Sequence, residues 1–442
     1  MDISELYQLF LQHPTVTTDS RNCPEGSIFF ALKGDSFNGN QFAQVALNKG
    51  CAYAVIDEDE YKQPNDNRYI CVRNCLKTLK QLANYHRRIL NTPIIGITGT
   101  NGKTTTKELI ATVLKEKFNV HFTRGNFNNE IGVPKTLLCL KPEHEISVIE
   151  MGASHPGDIK SLVDVVEPNY AIITNVGRAH LQGFGSFEGV KRTKAELYDF
   201  MQNNQRQGVV FINADNPYLQ EMYQAHCPDV QTVRYAQKKQ ERISVLGEVV
   251  SNNPYLTFHW TNVDSNQPQQ WEKVETHLIG AYNLDNMLAA ISTGLYFGVT
   301  SQQINHALAN YMPHNNRSQL EKTAHNSLIV DAYNANPTSM EAALRNFEEM
   351  SVSHKMAILG DMRELGKVSN EEHQKIADLL STMHFDKVWL VGEEFGKTKT
   401  SLRKFKDVEE VKQAIDKEQP HNYYILIKGS NGIRLFTLPE LL

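Results

Sequence analysis

The stretch Ile94-Ile95-Gly96-Ile97-Thr98-Gly99-Thr100-Asn101-Gly102-Lys103-Thr104-Thr105 decides how this chain is read. A β-branched run enters a glycine-rich turn, and Gly-Lys-Thr then opens a helical pattern. Backbone N–H groups of such a loop wrap phosphate oxygens, and the helix N-terminus adds partial positive charge. The lysine can reach β/γ-phosphates, and the threonine hydroxyl can hold Mg²⁺. A Gly-Lys-Thr triplet also occurs on ordinary surface turns, but the strand before it and the helix after it argue against that here. The strict motif carries glycine or alanine at position 97, where this chain has Ile97. The loop is therefore a variant type, and it points to a bound nucleotide without saying which chemistry follows.

Working outward, 442 residues are too many for one ordinary core, so two or three domains are expected. A hydrophobic content of 40% with 21% charged residues fits a soluble globular chain. The net charge of −5 argues against general nucleic-acid binding, so phosphate recognition must be local. No apolar run reaches the roughly 18 residues that span a membrane. Met1-Asp2-Ile3-Ser4-Glu5-Leu6 lacks a basic and then apolar lead-in, so no signal peptide is expected. Cys23, Cys51, Cys71, Cys75, Cys139 and Cys227 show no zinc spacing and read as reduced thiols of a cytoplasmic enzyme.

Residues 1 to about 90 form a first unit. It has a short buried strand within Gly26–Gly34, a helix over Phe42–Asn48, a strand over Ala52–Ile56, and an amphipathic helix from Leu76 to Leu90. Asn91-Thr92-Pro93 is a linker. From Ile94 the pattern alternates, with strands at 94–98, 118–122, 146–150, 171–174 and 209–213 and helices near 103–117, 133–140, 157–165 and 189–202. That alternation predicts a mostly parallel sheet covered by helices. Ser251–Lys273 reads as a β-hairpin excursion with an Asn/Gln/Pro tip, followed by an apolar helix from Asn283 to Tyr296. After Pro313, strands at 328–330, 356–359, 387–391 and 424–427 alternate with helices near 339–350, 370–383 and 408–417, a doubly wound α/β pattern.

Open α/β sheets bind ligands at the C-terminal ends of their strands. Polar clusters fall at five such ends: Glu150-Met151-Gly152, Thr174 to His180, Asp331 to Pro337, Gly360-Asp361-Met362 and Lys428-Gly429-Ser430. They predict two sheet edges facing one another across a cleft. Glu150 is a hard oxygen donor suited to Mg²⁺, or else a surface carboxylate capping the next helix. His180 is either structural or functional, with glycines at 177 and 183 beside it. Lys194 on a helix is ordinarily solvated. Thr17-Thr18-Asp19-Ser20-Arg21 offers hydroxyls and a guanidinium for phosphate or carboxylate, or is a plain polar turn. Asn283 and Asn286, three apart on one helix face, present amides to a base edge or pack the helix. Arg317 and Asp331 open the third unit and are unremarkable alone.

Together these strings resemble the Mur ligases of peptidoglycan synthesis over essentially the whole chain. Gly99 to Thr105 is similar to that family's variant phosphate loop, and Asn175 to His180 and Tyr282 to Asn286 resemble its second and third signatures. Ala31-Leu32-Lys33-Gly34, Asn128 to Pro134, Asp331 to Met340 and Gly360 to Gly366 resemble the members that add D-alanyl-D-alanine to a UDP-N-acetylmuramoyl-tripeptide. The resemblance implies three domains: a small α/β UDP-sugar domain over 1–91, a central P-loop ATPase-like parallel sheet over 92–312, and a C-terminal Rossmann-like domain over 313–442. It implies an ATP-dependent acid–D-amino-acid ligase, cytoplasmic and monomeric, serving cell-wall biogenesis, cell shape and division. ATP and Mg²⁺ would be its cofactors, and neither nucleic acid nor a membrane its partner.

Carried over by motif, Gly99, Thr100, Asn101, Gly102, Lys103, Thr104 and Thr105 would cradle ATP. Thr104, Glu150 and His180 would hold metal, with Lys194 joining them if carbamylated. Asn283 would contact adenine, and Arg317 and Asp331 would engage ATP from the closing domain. Ser20, Arg21, Lys33 and Gly34 would lie near the uridine diphosphate, and Asn128, Asn129 and Asn334 near the peptides. Asn431 stands where related chains often carry arginine. A folylpolyglutamate-type ligase is the rival enzyme, disfavoured by the N-terminal strings. A slow nucleotide switch is the rival class, and it would not need Glu150, His180 and Lys194.

Overall fold

The computed structural model describes residues 1–34, 36–205, 207–263, 270–313 and 319–442. They form two compact units. The first is Met1–Ile97, Phe118–Gly152 and Asp158–Tyr170, and the second is Thr98–Lys117, Ala153–Gly157 and Ala171–Leu442. The division falls inside the strand Ile94–Thr98.

In the first unit, the strands Val16–Thr17, Ile28–Phe30, Tyr53–Ile56 and Tyr69–Cys71 lie in that order and are all parallel. Ile28, Phe29, Phe30, Ala54, Val55 and Ile56 are buried, as the apolar runs require. The predicted strand within Gly26–Gly34 stops at Phe30. A tight turn closed by Leu32 N–H on the Phe30 carbonyl swings the chain out, and Lys33–Gly34 pairs antiparallel with Phe37–Asn38 instead. The helix Cys75–Leu90 begins at Asn74, whose side chain accepts from the Lys77 N–H, and ends at a left-handed Asn91. Its buried Arg87 donates to the carbonyls of Val166 and Glu167, at the C-terminus of the helix Asp158–Val166. A cation is favourable there because those last carbonyls lack partners within their helix. Beside it, Ile94–Ile97, Ile146–Glu150 and Val120–Phe122 form parallel pairs.

The second unit carries two sheets. In one, Val209–Asn213, Gln231–Ala236, Val245–Asn252, Tyr255–Asn262 and Glu272–Ile279 are successive neighbours, parallel at first and then an antiparallel meander. The predicted hairpin is thus a three-stranded meander that starts earlier, at Val245, and its tip at 264–269 lies outside the described residues. The helix Lys103–Lys115 packs on Leu284–Tyr296. They come close because Gly294 has no side chain: a Cβ there would meet Val113 at 2.5 Å.

The other sheet orders Gln319–Lys322, Ser327–Asp331, Tyr424–Lys428, Lys355–Gly360, Lys387–Val391 and Arg403–Phe405, parallel except for its first edge. Both edge strands escaped the sequence reading because they are short and polar. Alternate residues feed two cores, one around Met340, Leu344, Phe347 and Ile376 and one around Trp389, Val411, Ile415 and Leu438. All six cysteines are free thiols. Among the described residues no helix is long and apolar enough to cross a membrane.

The first unit also contains an acid-sensitive group. The His121 ring Nε2 sits 2.9 Å from the Thr136 carbonyl. Burial pushes its pKa down to about 4; Thr136 opposes this, while His144 and Arg124 add to it. Below its ordinary value of 6.5, the unfolded chain takes up a proton that the folded chain refuses. Stability is therefore full above that pH and falls as pH drops through the window, by about 3 kcal/mol from this side chain. Urea denaturation across that range should show the loss. His121→Gln, which keeps a donor for Thr136, should remove this share of the slope and leave the parts due to His86, His144 and His180, which burial shifts the same way.

Candidate active site

The phosphate loop needs its glycines at two points. Gly99 has φ +144°, and a Cβ there would lie 2.0 Å from Thr174 Oγ1. Gly102, at φ +77°, starts the helix Lys103–Lys115 in a left-handed conformation with Asn286 Oδ1 against it. Ile97 is fully buried in the strand core, so the variant position serves packing. Lys103 folds back over the loop, its Nζ donating to the carbonyls of Gly99 at 2.9 Å and Thr100 at 3.0 Å. Thr104 follows, buried, in the first helical turn.

The loop is held from behind by the segment after the strand Tyr170–Ile173. Thr100 N–H donates to the Asn175 carbonyl and Asn101 N–H to Asn175 Oδ1. Thr174 Oγ1 and Asn175 Nδ2 both donate to the Asn101 carbonyl, at 2.6 and 3.0 Å. The C-terminal sheet meets the same place. Asn336 donates to Asn101 Oδ1 at 2.8 Å while its own Oδ1 caps the helix Pro337–Glu349. Arg178 N–H donates to Thr338 Oγ1, and its guanidinium to the buried Glu372. Within this unit, then, the predicted strand ends do face one another.

His180 sits at φ +49°, heading the short helix Leu181–Phe184, and its Nδ1 is paired with Glu364. Burial lowers its pKa; Glu364 opposes this, and the nearby cations of Lys103 and Lys194 add to the depression. His180 is therefore within electrostatic reach of both Lys103 and Lys194. Lys194 is not a solvated helix lysine: it is 2% exposed, with Nζ 5.6 Å from the Phe184 ring centroid. Lysines are almost never so enclosed, which sets the position apart from the solvated face of its helix.

In the first unit, Glu150 is 1% exposed, so it is no surface cap. Its Oε1 accepts from Asn128 Nδ2 at 2.8 Å. Asn129 caps the turn into Gly132–Leu137 through the N–H groups of Ile131 and Gly132. Arg21 is forked onto Asp19, whose carboxyl the guanidinium holds down to about 2. The Ser20 carbonyl takes Lys49 Nζ. Lys33 lies between Asp57 and Glu58 at 3.0 and 2.7 Å, pairs that raise its pKa; Gly34 beside it is open to solvent.

Other expected residues are engaged internally. Asn283 is 2% exposed, donates to the Ile279 carbonyl and accepts from Asn286, which in turn accepts from Thr106. Both ends of the Asn283 amide are thus engaged within the unit. Asp331 is paired with the buried Lys428, and Asn334 is exposed with its Oδ1 on the Ala335 N–H. Arg317 lies outside the described residues. Among those described, no three His, Cys, Asp or Glu side chains are gathered as a metal cage. Hydroxyl and carboxylate donors such as Thr104 and Glu150 instead suit Mg²⁺, which keeps waters and binds mainly through substrate phosphates.

A cleft of about 800 Å³ was not foreseen. It opens at the C-terminal ends of four strands of the C-terminal sheet and is lined by Arg363, Glu364, Glu393, Lys406 and Arg434 among others. The Arg363 guanidinium lies over Gly432 and donates to its carbonyl at 3.3 Å, placing a cation beside Asn431. The strand-end rule located this edge of the sheet. The charges come from four loops far apart in sequence, so spacing could not reveal the cleft.

Three profiles of one family match the chain: "Mur ligase family, catalytic domain" over 14–87, "Mur ligase middle domain" over 97–294 and "Mur ligase, glutamate ligase domain" over 316–431. The UDP-N-acetylmuramoyl-tripeptide–D-alanyl-D-alanine ligase of Bacillus subtilis (strain 168) is 33% identical over 433 residues, covering 95% of this chain and 91% of that protein. The crystal structure of MurF from Acinetobacter baumannii superposes with TM-score 0.84 at 31% identity, over 96% of this chain and 92% of that one. MurF ligase from Thermotoga maritima in complex with ADP gives TM-score 0.84 at 26% identity, over 97% and 96%. With such relatives along nearly its whole length, the chain belongs to the Mur ligase family and has that family's three-domain α/β fold.

Proposed function

We propose that this chain uses ATP to join D-alanyl-D-alanine to UDP-N-acetylmuramoyl-tripeptide, giving the pentapeptide of peptidoglycan synthesis. It acts as a cytoplasmic monomer, with domains at 1–91, 92–312 and 313–442. The observation that carries the reading is a glycine loop braced by Asn175 and bonded to Asn336, with His180 within electrostatic reach of the loop's Lys103 and of the enclosed Lys194.

A carboxylate resists amines because it is a poor electrophile. Its oxygen attacks the γ-phosphorus of ATP, the bond to ADP breaks, and an acyl-phosphate results. The acceptor ammonium gives one proton to water and attacks the carbonyl carbon as the free amine; the tetrahedral intermediate loses a second proton to water and collapses as the C–O bond to phosphate breaks and phosphate leaves. Negative charge accumulates throughout, so donors and cations carry the catalysis. The loop Gly99 to Thr105 and the Lys103 ammonium hold the phosphates. Thr104, Glu150, His180 and a carbamylated Lys194 would hold Mg²⁺, which neutralises phosphate charge when bound. Arg317 and Asp331 engage ATP from the third domain, and Asn283 lies near the adenine. Ser20, Arg21, Lys33 and Gly34 face the uridine diphosphate, and Asn128, Asn129 and Asn334 the peptides. The C-terminal cleft takes D-alanyl-D-alanine: a zwitterion needs a cation for its carboxylate and an anion for its ammonium, and Arg363, Arg434 and Glu393 provide both.

Phosphate release measured with each substrate omitted tests this reading. Release should require both UDP-tripeptide and D-alanyl-D-alanine, and release with neither present would mark a nucleotide switch instead. Lys103→Ala should abolish ligation while leaving UDP-tripeptide binding by calorimetry within about twofold; equal loss of both would contradict the separate domains. Arg363→Ala should raise KM for D-alanyl-D-alanine about 10–100-fold, the worth of one charged hydrogen bond, with KM for ATP unchanged.

A further inference from the structure

Glu364 has no part in the phosphate loop, yet several independent contacts fix it against His180. The segment Asp361–Gly366 is anchored at three points to elements flanking the C-terminal sheet. Asp361 accepts from the N–H groups of Glu394 and Phe395, both at 2.9 Å. Met362 N–H donates to Nε2 of the fully buried His373, and Arg363 N–H donates to Ser430 Oγ. From that base the chain reaches the helix Leu181–Phe184. Gln182 N–H donates to the Glu364 carbonyl at 3.1 Å, buried Leu365 and partly buried Leu181 join one core, and Gly366 lies against Gln182.

The two residues that meet are both in the left-handed region, His180 at φ +49° and Glu364 at φ +65°. Such backbone is uncommon outside glycine and persists where surrounding contacts over-determine it. Stability is a poor explanation for the side-chain pair itself. Glu364 is 59% exposed on its side chain, and ion pairs so open to water add little. Orientation is a better one. A carboxylate accepting from Nδ1–H fixes the ring plane and the tautomer, and it turns the Nε2 lone pair away from Glu364.

We propose that Glu364 is a positioning residue for His180: by accepting its Nδ1–H, the C-terminal motif aims Nε2 into the phosphoryl-transfer centre. The inference rests on the reading of His180 given above. Glu364 also lines the acceptor cleft, so one side chain joins the wall of that cleft to the ring. Seating of the acceptor and aim of the imidazole are thereby coupled through the same carboxylate.

The test compares Glu364→Ala, Glu364→Gln and His180→Ala in the full-length protein. Mn²⁺ binding in the presence of ADP is followed by loss of the free-ion EPR signal, alongside kcat and KM, with thermal melting to confirm folding. Glu364→Ala should weaken Mn²⁺ binding and lower kcat by about 10–100-fold, with KM for ATP within about twofold. Glu364→Gln, whose amide oxygen still accepts from Nδ1–H, should recover most of both. Wild-type Mn²⁺ affinity and kcat in Glu364→Ala, or a Gln variant as impaired as Ala, would overturn the assignment. If His180→Ala is impaired while Glu364→Ala is not, the positioning role alone fails. If His180→Ala also binds Mn²⁺ normally, the metal reading of His180 fails, and this inference with it.

Discussion

A loop that wraps a phosphate turns some of its backbone groups inward, away from the ligand, and its shape is imposed by whatever pairs with them. Between Gly99 and Gly102 that work falls to Thr174 and Asn175, which take the carbonyl of Asn101 and the backbone amides of Thr100 and Asn101. Buried backbone groups must find partners, and these bonds satisfy those on the inner side of the loop. Gly99 is obligatory for the same reason: Thr174 stands where its Cβ would be. Asn286 has the matching role at Gly102, and its ties to Asn283 and Thr106 make the helix pair behind the loop one hydrogen-bonded block.

The same loop fixes where the C-terminal sheet rests within its unit. Asn336 caps one helix and holds Asn101 with the other end of the same amide, so a capping residue doubles as a docking point. Thr338 and Glu372 receive Arg178, and Glu364 receives His180. The second and third polar strand ends of the chain are thereby tied to the phosphate loop by a few directional bonds, beside an apolar contact in which Leu181 and Ile279 join the core around Met340 and Leu365. Such bonds are individually modest in water.

Much of this was legible in the sequence. The strand Ile94–Thr98 and helix Lys103–Lys115 were read closely because a fully buried parallel strand is a continuous apolar run and a Gly-Lys-Thr turn is a strong helix start. The strands at 146–150, 209–213 and 387–391 were equally plain. The edge strands Gln319–Lys322 and Arg403–Phe405 were not, because an edge has solvent on one side and needs no apolar run. Glu150 and Lys194 illustrate the limit at the site. Each was a plausible surface residue by its neighbours, and only packing from distant segments makes them buried charges. Arg21, Lys33 and Asn129 were read as ligand contacts by motif, and each already has partners within its own unit.

The sequence by itself determined the local elements and the phosphate loop, because hydrophobic period, capping residues and glycine placement act over a few residues. It also determined the family, since several motifs recur in order along the chain. Only the tertiary structure decided the environment of each polar group: that Lys194 is enclosed, that Asn283 is turned inward, and that Arg363, Glu393 and Arg434 surround one cleft. It alone brought Glu364 to His180 across 184 residues. Those outcomes depend on which distant chains come together, and no spacing within a segment encodes the desolvation or the pairing that a charge meets once they do.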